Sequence, residues 1–404
     1  MVWSETALLS VVSVVNLALT VQALSPGDLG VVALWMSAVG LAGFAAERGL
    51  GDVLTVRWLR APPRLRPAIE ARYLQGMAPG LAVGTVLGLA VGWRDPLALI
   101  ATAHLWAFLA YRACLFQVLV RRALGRQMAL HLSIEGLRSV CLLVLLHGGV
   151  PHFGLDAATA ALLCYPASHL ALLPFALSRD LRLHLPGRWF PRSLRRELWR
   201  DRHRLAVAVF KNLADSAPLW LIGSLLSTHA AGLFSLVQRL AAFPYGFLRR
   251  AETLLMVHFC AVPGTHEFRR AALVQVAAAA ALALASALAA LCAGPLFPDH
   301  YRPALGLFAG YIVVLVPAAL TGAMRSRIMA AADYRTLAAH YGICCLIVAA
   351  LVGGALYAGG GLPWAVAATV TAYAAGAGLI AWFVRRSART PSPTPIATEL
   401  ACQP

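Results

Sequence analysis

The sequence predicts an all-α polytopic membrane protein of about twelve transmembrane helices, arranged as two six-helix lobes, and three observations carry that prediction. First, the 404 residues are 60% hydrophobic with a mean hydropathy of +0.72, outside the range of an ordinary water-soluble domain. Second, twelve apolar stretches each approach the roughly 20 residues a helix needs to cross the hydrocarbon of a bilayer. Third, all but six of the 34 basic side chains fall in alternate gaps between those stretches. The basic gaps are Arg48–Arg72, Arg121–Arg126, Arg179–Arg204, Arg249–Arg270, Arg325–Arg335 and Arg385–Arg389, and the gaps between them hold only Arg94 and Arg302. Lys and Arg beside a span are retained in the cytoplasm, so the basic gaps are expected there, with both termini on the same side.

The apolar stretches run roughly over 6–23, 29–46, 74–93, 97–120, 127–147, 155–177, 205–226, 230–250, 271–293, 304–324, 336–357 and 362–384. The first has neither a basic leader nor a cleavage site, which makes it a retained span rather than a signal peptide. Between it and the second, Ser25-Pro26-Gly27-Asp28 supplies an N-cap, a proline at the first helical position and an acid at the third, with Leu24 and Leu29 placed as a hydrophobic staple. Pro79, Pro166, Pro174, Pro218, Pro244 and Pro317 lie inside spans and predict kinks. The turns at Trp93–Pro96, Thr228–His229 and Gly359–Gly361 are tight, and Gly148–Gly154 is only slightly longer, which leaves no room for an external domain. Two basic segments, Leu54–Tyr73 and Ser178–Arg204, read as amphipathic stretches lying on anionic lipid headgroups. The Pro/Thr-rich tail after Arg389 reads as disordered.

The central basic segment divides the chain into a lobe over 1–177, a linker over 178–204, a lobe over 205–386 and a tail over 387–404. Shifting the sequence by 202 residues lays most spans of the second half on those of the first. The same shift places Leu24-Ser25, Gly30, Leu34 and Arg48 on Leu226-Ser227, Gly232, Leu236 and Arg250. An even number of spans per half gives both halves one topology, so they are expected to be parallel repeats about an axis along the membrane normal, with a substrate cleft between them.

A net charge of +17 invites a nucleic-acid reading, but the charge is spread over membrane-flanking gaps and no nucleic-acid partner is expected. The eight cysteines form no CxxC or metal spacing and read as packing residues, and no cofactor or metal is expected. The twelve histidines are scattered and most read as packing or interfacial residues. Ionisable groups at bilayer depth are costly, so they mark a partner or a wet cavity. Six stand out: Arg112, Glu135, Arg138, Lys211, Asp215 and Arg239. Glu135 with Arg138 and Lys211 with Asp215 are spaced to pair along one helix face, whereas Arg112 and Arg239 have no acid within a turn. Four cations against two acids leave a local excess of +2. Arg239, Arg112, Arg138 and Lys211 are therefore candidates for a cationic cavity that accepts an anion such as a diphosphate, since a guanidinium fork matches phosphate oxygens. Glu135 and Asp215 are candidates for ion coupling. The competing reading has these charges pairing across helices as structural glue, for example Arg239 with Asp215.

Three stretches carry a family resemblance. LALTVQALSPGDLGVVALWMSAVGLAGFAAERGL (17–50) resembles the opening of polysaccharide (O-antigen, Wzx-type) flippases, which begin with a span, a "LsPedyG" turn and a second span ending near Gly-Leu. STHAAGLFSLVQRLAAFPYGFLRRA (227–251) resembles that family's turn between spans seven and eight, and LFPDHYRPAL (296–305) resembles its entry to span ten. The resemblance implies the multidrug/oligosaccharidyl-lipid/polysaccharide exporter superfamily: two six-helix lobes around a V-shaped cavity, no enzymatic activity, and movement of an undecaprenyl-diphosphate-linked glycan from the inner to the outer leaflet. It also implies a lipid-linked oligosaccharide as substrate, held by cavity Arg and Lys side chains, and the polysaccharide polymerase machinery as a partner.

Three other classes compete. A drug or small-solute antiporter of the same superfamily would want an acidic cavity, which the excess of basic groups opposes. A major-facilitator-type porter fits the length, but ERGLGDVLTVRWLR after span two lacks that family's basic signature. A membrane glycosyltransferase, polymerase or ligase would need catalytic residues on an outer loop, and these loops are short with isolated Asp28, Asp95, Asp156 and Asp299. No GxxxxGK[ST] is present, so no P-loop binds ATP.

Overall fold

The computed structural model of the chain describes residues 2–47, 50, 51, 54, 58, 61–120, 124–145, 154–172, 199, 202–261, 265–330 and 333–387. Most of the basic linker, the tail beyond Ser387, Arg48 and most of the amphipathic stretch before Ala61 lie outside the described residues. Those described are helical, with no strand among them. In chain order the first lobe holds α1 (Val2–Ala23), α2 (Pro26–Glu47), α3 (Arg66–Gly92), α4 (Pro96–Val120), α5 (Leu124–Val144) and α6 (Ala157–Ser168, prolonged by a 3-10 turn over His169–Leu172). The second holds α7 (Arg202–Leu225), α8 (Thr228–Ala261), α9 (Thr265–Cys292) and a broken α10 made of Arg302–Tyr311, a 3-10 turn over Ile312–Val314 and Leu315–Ala330. It closes with α11 (Tyr334–Tyr357) and α12 (Leu362–Ser387). Each corresponds to one apolar stretch of the sequence.

Eight of these helices are long and apolar enough to cross a membrane by length and composition alone. The charged α5 and α8 do not meet that criterion, because Arg126, Glu135, Arg138, Arg239 and Glu252 lower their hydropathy. The chain is a multi-pass membrane protein.

Local chemistry sets the helix ends and breaks. Ser25 Oγ accepts from the Asp28 amide at 3.2 Å and donates to the Asp28 carboxylate at 2.6 Å, while Leu24 and Leu29 are both buried. Ser227 Oγ repeats the cap at the start of α8, accepting from the Ala230 amide at 3.1 Å. The 3-10 turn in α10 lies just ahead of Pro317, whose ring excludes the carbonyl four residues earlier and which donates no hydrogen bond. Pro79, Pro218 and Pro244 sit inside continuous helices. Several helices outrun the apolar stretch that announces them: α8 continues past Arg249 to Ala261 and α3 begins at Arg66. Backbone hydrogen bonding does not stop where side chains become charged.

The two halves repeat the same pairings. In the first, α1 packs on α5, α3 on α4, α2 on α4, and α6 on both α4 and α5. In the second, α7 packs on α11, α9 on α10, α8 on α10, and α12 on both α10 and α11. Adding six to each label converts one set into the other, as a pseudo-two-fold axis requires. Across that axis α2 lies on α8 and on α7.

The apolar core reveals where the lobes join. One large buried cluster links both halves through Leu24, Leu29, Leu162, Ile222, Phe234, Tyr301 and Leu356, all beside the short turns. Toward the basic ends the core splits. Leu54, Tyr73, Leu109 and Phe116 form one cluster in the first lobe, Leu130, Ile134 and Leu172 another, and Ile328, Leu337, Tyr341 and Ile380 a third in the second lobe. None of these three crosses between lobes. The lobes are thus sealed together at the short-turn end and separately packed at the basic end.

The seal is tight because two glycines face each other across the axis. A methyl group on Gly30 of α2 would overlap the Thr228 carbonyl, and one on Gly232 of α8 would overlap the Pro26 carbonyl. The 202-residue shift maps each of these contacts onto the other, so the helices touch backbone to backbone. The Tyr301 hydroxyl reinforces the seal by donating to the Leu24 carbonyl at 3.0 Å.

Candidate functional site

A polar site lies between the lobes below this seal. Arg138, Tyr165, Arg239, Asn16, Asp215 and Tyr373 all sit about 10–16 Å along their helices from the short-turn end, near the middle of a hydrocarbon layer about 30 Å thick. The helices that carry them all contribute to the cross-lobe core, and Arg239 and Tyr165 bring the two lobes into contact at this depth.

In the first lobe, Arg138 Nη1 donates to both oxygens of Glu135, at 2.8 and 2.9 Å. Asn16 of α1 donates to the same carboxylate at 2.8 Å, and Ser139 donates to Asn16 Oδ1 at 2.7 Å. The Arg138 guanidinium lies 4.7 Å over the Tyr165 ring. Its Nε is buried with no hydrogen-bond partner among the described residues. From the second lobe, Arg239 Nη2 reaches the Tyr165 hydroxyl at 3.4 Å and makes no ion pair among the described residues. Two guanidinium groups, one per lobe, therefore meet on one tyrosine.

In the second lobe, Lys211 Nζ is 3.0 Å from Asp215 Oδ2, while Tyr373 of α12 donates to Asp215 Oδ1 at 2.9 Å. Gln238 donates to the Asp215 backbone carbonyl at 3.3 Å, tying α8 to α7. With both carboxylate oxygens of Asp215 engaged, the alternative pairing of Arg239 with Asp215 does not occur. Trp220 of α7 donates to Ser37 of α2 at 2.7 Å, a further bond between the lobes.

Arg112 belongs elsewhere. It points to the basic end of the first lobe and forms a two-pronged pair with Glu47 of α2, at 2.8 Å from Nε and 2.6 Å from Nη2. Tyr73 of α3 donates to the same carboxylate at 2.9 Å. This corrects the expected excess of +2: Glu47 neutralises Arg112, and among the described residues the remaining uncompensated charge of +1 is Arg239. The sequence reading overlooked Glu47 because it adjoins the basic gap that begins at Arg48. A counterpart stands in the second lobe, where Arg325 of α10 pairs with Glu252 of α8 and lies 3.4 Å from the Tyr341 hydroxyl of α11. Both clasps join the equivalent helices of their lobes, α2 to α4 and α8 to α10. Their register along the chain differs, which is why a fixed shift does not superpose them.

No group of His, Cys, Asp and Glu among the described residues could hold a metal ion. The described cysteines are free, and no pair forms a disulfide.

No protein-family model and no curated protein matches the sequence. Solved structures do match in fold. A structure titled lipid II flippase MurJ, inward closed conformation, aligns with a TM-score of 0.76 at 10% identity over 95% of this chain and 87% of that one. An inward-facing multidrug resistance MATE family transporter of the MOP superfamily aligns with a TM-score of 0.66 at 14% identity, over 95% of this chain and 96% of that one. An outward-facing MATE family transporter aligns less well, with a TM-score of 0.54 at 14% identity over 95% of each chain. The fold is similar to that of these solved MATE and MurJ structures, which favours this architecture over the major-facilitator alternative.

Proposed function

We propose that the protein is a flippase that moves an undecaprenyl-diphosphate-linked oligosaccharide, an O-antigen, capsule or exopolysaccharide repeat unit, from the inner to the outer leaflet of a bacterial inner membrane. The observation that carries this reading is the meeting of Arg138 and Arg239 on Tyr165 at mid-depth, with the Arg138 Nε unmatched and no acid on Arg239 among the described residues. Guanidinium forks with spare donors in a cleft suit a diphosphate, whose oxygens only accept. The resemblance of 17–50 and 227–251 to polysaccharide flippases points the same way, and one fold neighbour is titled a lipid II flippase.

The basic end faces the cytoplasm in this proposal, so the cleft is open inward. The diphosphate binds between the two arginines while the polyprenyl tail remains in the bilayer. Closure at the basic end and parting of Gly30 from Gly232 then present the head group outside. The lobes are 1–177 and 205–386, joined by the basic linker on the inner surface. Asp215, held by Lys211 and Tyr373, and Glu135, held by Arg138 and Asn16, are the acids available for coupling to an ion. The product is handed to the polysaccharide polymerase machinery. A drug antiporter is the competing reading, favoured by the half-exposed Asp215 carboxylate.

The test is deletion of the gene in its host, with surface polysaccharide and inner-leaflet lipid-linked repeat units quantified together. Loss of polymer with build-up of complete repeat units is expected. Normal polymer with altered drug tolerance would overturn the proposal in favour of the antiporter.

A further inference from the structure

Histidines that look scattered along the chain are gathered by the fold just behind the arginine site. His104 of α4 stands edge-on to Tyr165, with ring centroids 5.6 Å apart, and edge-on to His169 at 5.2 Å. His169 lies 6.0 Å from Tyr111, whose hydroxyl is 3.1 Å from His131 Nε2 on α5. His104 is only 4% exposed, and its Nδ1 has no hydrogen-bond partner among the described residues. His169 Nδ1 is 2.8 Å from the Tyr165 carbonyl oxygen. A carbonyl can only accept, so that nitrogen carries the hydrogen and Nε2 is left as the basic atom. Two buried imidazoles thus each keep a lone pair available, and His104 touches the same ring that Arg138 covers and Arg239 grips.

We infer that His104 and His169 form a proton-binding site whose occupancy is linked to that of the anion between Arg138 and Arg239. The inference rests on the anion reading of that site. A hydronium ion from the aqueous phase at the basic end gives its proton to an imidazole lone pair and leaves as water, and no bond within the protein is broken. Tyr111 and His131 lie on the side nearer the basic end and supply hydroxyl and ring nitrogens for its passage.

The surroundings set the linkage. Arg138, Glu135 and His131 face the pair from α5, Tyr165 from α6, and Tyr111 from α4 itself. Arg112, two turns further along α4, is already neutralised by Glu47 of α2, with Tyr73 of α3 on the same carboxylate. Glu135 is shared by Arg138 and Asn16. A proton on His104 therefore places a second cation beside Arg138, which is unfavourable while the cleft holds no anion. A diphosphate between Arg138 and Arg239 offsets that charge. Anion binding draws in the proton and the proton tightens anion binding, by the reciprocity that any linked pair obeys. Partial neutralisation also lowers the penalty of carrying a multiply charged head group through the middle of the bilayer. The remaining negative charge still moves outward down an inside-negative potential.

The experiment is calorimetry of farnesyl diphosphate binding to the full-length protein in lipid nanodiscs near pH 6.5, repeated in buffers of different ionisation enthalpy to count protons taken up. Wild type is expected to take up protons on binding. His104→Gln and His169→Gln, measured singly and together, are expected to lose most of that uptake while still binding. His300→Gln, on the exposed short-turn end, is expected to retain it. Uptake unchanged in the His104 and His169 variants, or removed by Asp215→Asn instead, overturns the inference while leaving the anion site intact. Absence of any binding to wild type overturns the anion reading itself and the inference with it. Thermal unfolding of each variant separates lost linkage from lost folding, and the two single variants keep the test open should the double variant not fold.

Discussion

The two mid-depth clusters occupy corresponding lobes but are finished differently. In the second lobe Lys211, Asp215 and Tyr373 close on one another, and both carboxylate oxygens are satisfied. In the first lobe Arg138 is only half used: Nη1 serves Glu135, while Nε is buried without a partner among the described residues. Arg239 extends from the second lobe toward this incomplete side, to Tyr165. The frame around the clusters repeats, down to the α2–α4 and α8–α10 clasps and the paired glycines, so the difference is local chemistry on a shared scaffold. A repeated scaffold can hold one self-contained polar cluster and one with donors to spare, and the second is where a ligand is expected.

The largest effect should come from breaking the symmetry of the seal. Gly30→Val or Gly232→Val places a side chain against a backbone carbonyl that no rotamer can avoid, opposing the sealed arrangement by about 3 kcal/mol. Distances between spin labels at the short-turn ends of α2 and α8 are expected to lengthen in both variants, and equally, because the two contacts are equivalent. An unchanged distance would show that the glycines do not limit the approach of the lobes.

Removing a clasp comes next. Glu47→Gln and Glu252→Gln each leave a partly buried arginine without its counter-charge and should destabilise the protein by about 3 kcal/mol. Pairing Glu47→Gln with Arg112→Gln should recover part of the loss, read as a rise in the unfolding midpoint relative to Glu47→Gln. A similar loss in both lobes would confirm the clasps as counterparts, and a loss in only one would break the comparison.

Arg239→Ala should weaken diphosphate binding by about 2 kcal/mol, or roughly 30-fold in Kd, with Arg239→Lys intermediate because it keeps the charge but not the fork. Asp215→Asn should change binding by less than about fivefold, since its carboxylate is already engaged by Lys211 and Tyr373 and is partly exposed. Titrating farnesyl diphosphate into each variant orders the two lobes. A larger loss for Asp215→Asn would move the ligand site into the second lobe.

The smallest effect concerns a helix end. Asp156 caps α6, accepting from the Thr159 amide at 2.8 Å and from its hydroxyl at 2.6 Å, and these hydrogen bonds hold its carboxyl below the usual range. Because the folded value is depressed, this contribution is complete above the ordinary carboxylate range and fades as pH falls through the folded value. Asp156→Ala is expected to cost about 1 kcal/mol at neutral pH and progressively less in strong acid, seen as converging unfolding midpoints.

Much of the fold is legible in the sequence, because the demand for about 20 apolar residues per crossing leaves a plain mark even when helices overrun it. The shift of 202 residues also puts Gly30 on Gly232, an identity that looks barely above chance until the two glycines are found in contact. The site was only partly legible. The local pairs Glu135–Arg138 and Lys211–Asp215 follow from helical spacing. Pairs between helices do not: Glu47 adjoins one basic gap and Glu252 lies inside another, and nothing in their sequence neighbourhood points to Arg112 or Arg325. Tyr165 and the histidines were missed for the same reason. His104, His131 and His169 belong to three different helical segments, and their gathering is a property of the packing.

The central claim is that a diphosphate-bearing head group crosses through the arginine site. The most direct measurement is reconstitution of the purified protein in vesicles with a fluorescent prenyl-diphosphate-linked oligosaccharide, following its appearance in the opposite leaflet. Transfer well above protein-free vesicles, lost in Arg239→Ala and partly restored in Arg239→Lys, is the predicted result. Transfer no faster than in protein-free vesicles, or equally fast in Arg239→Ala, would contradict the account.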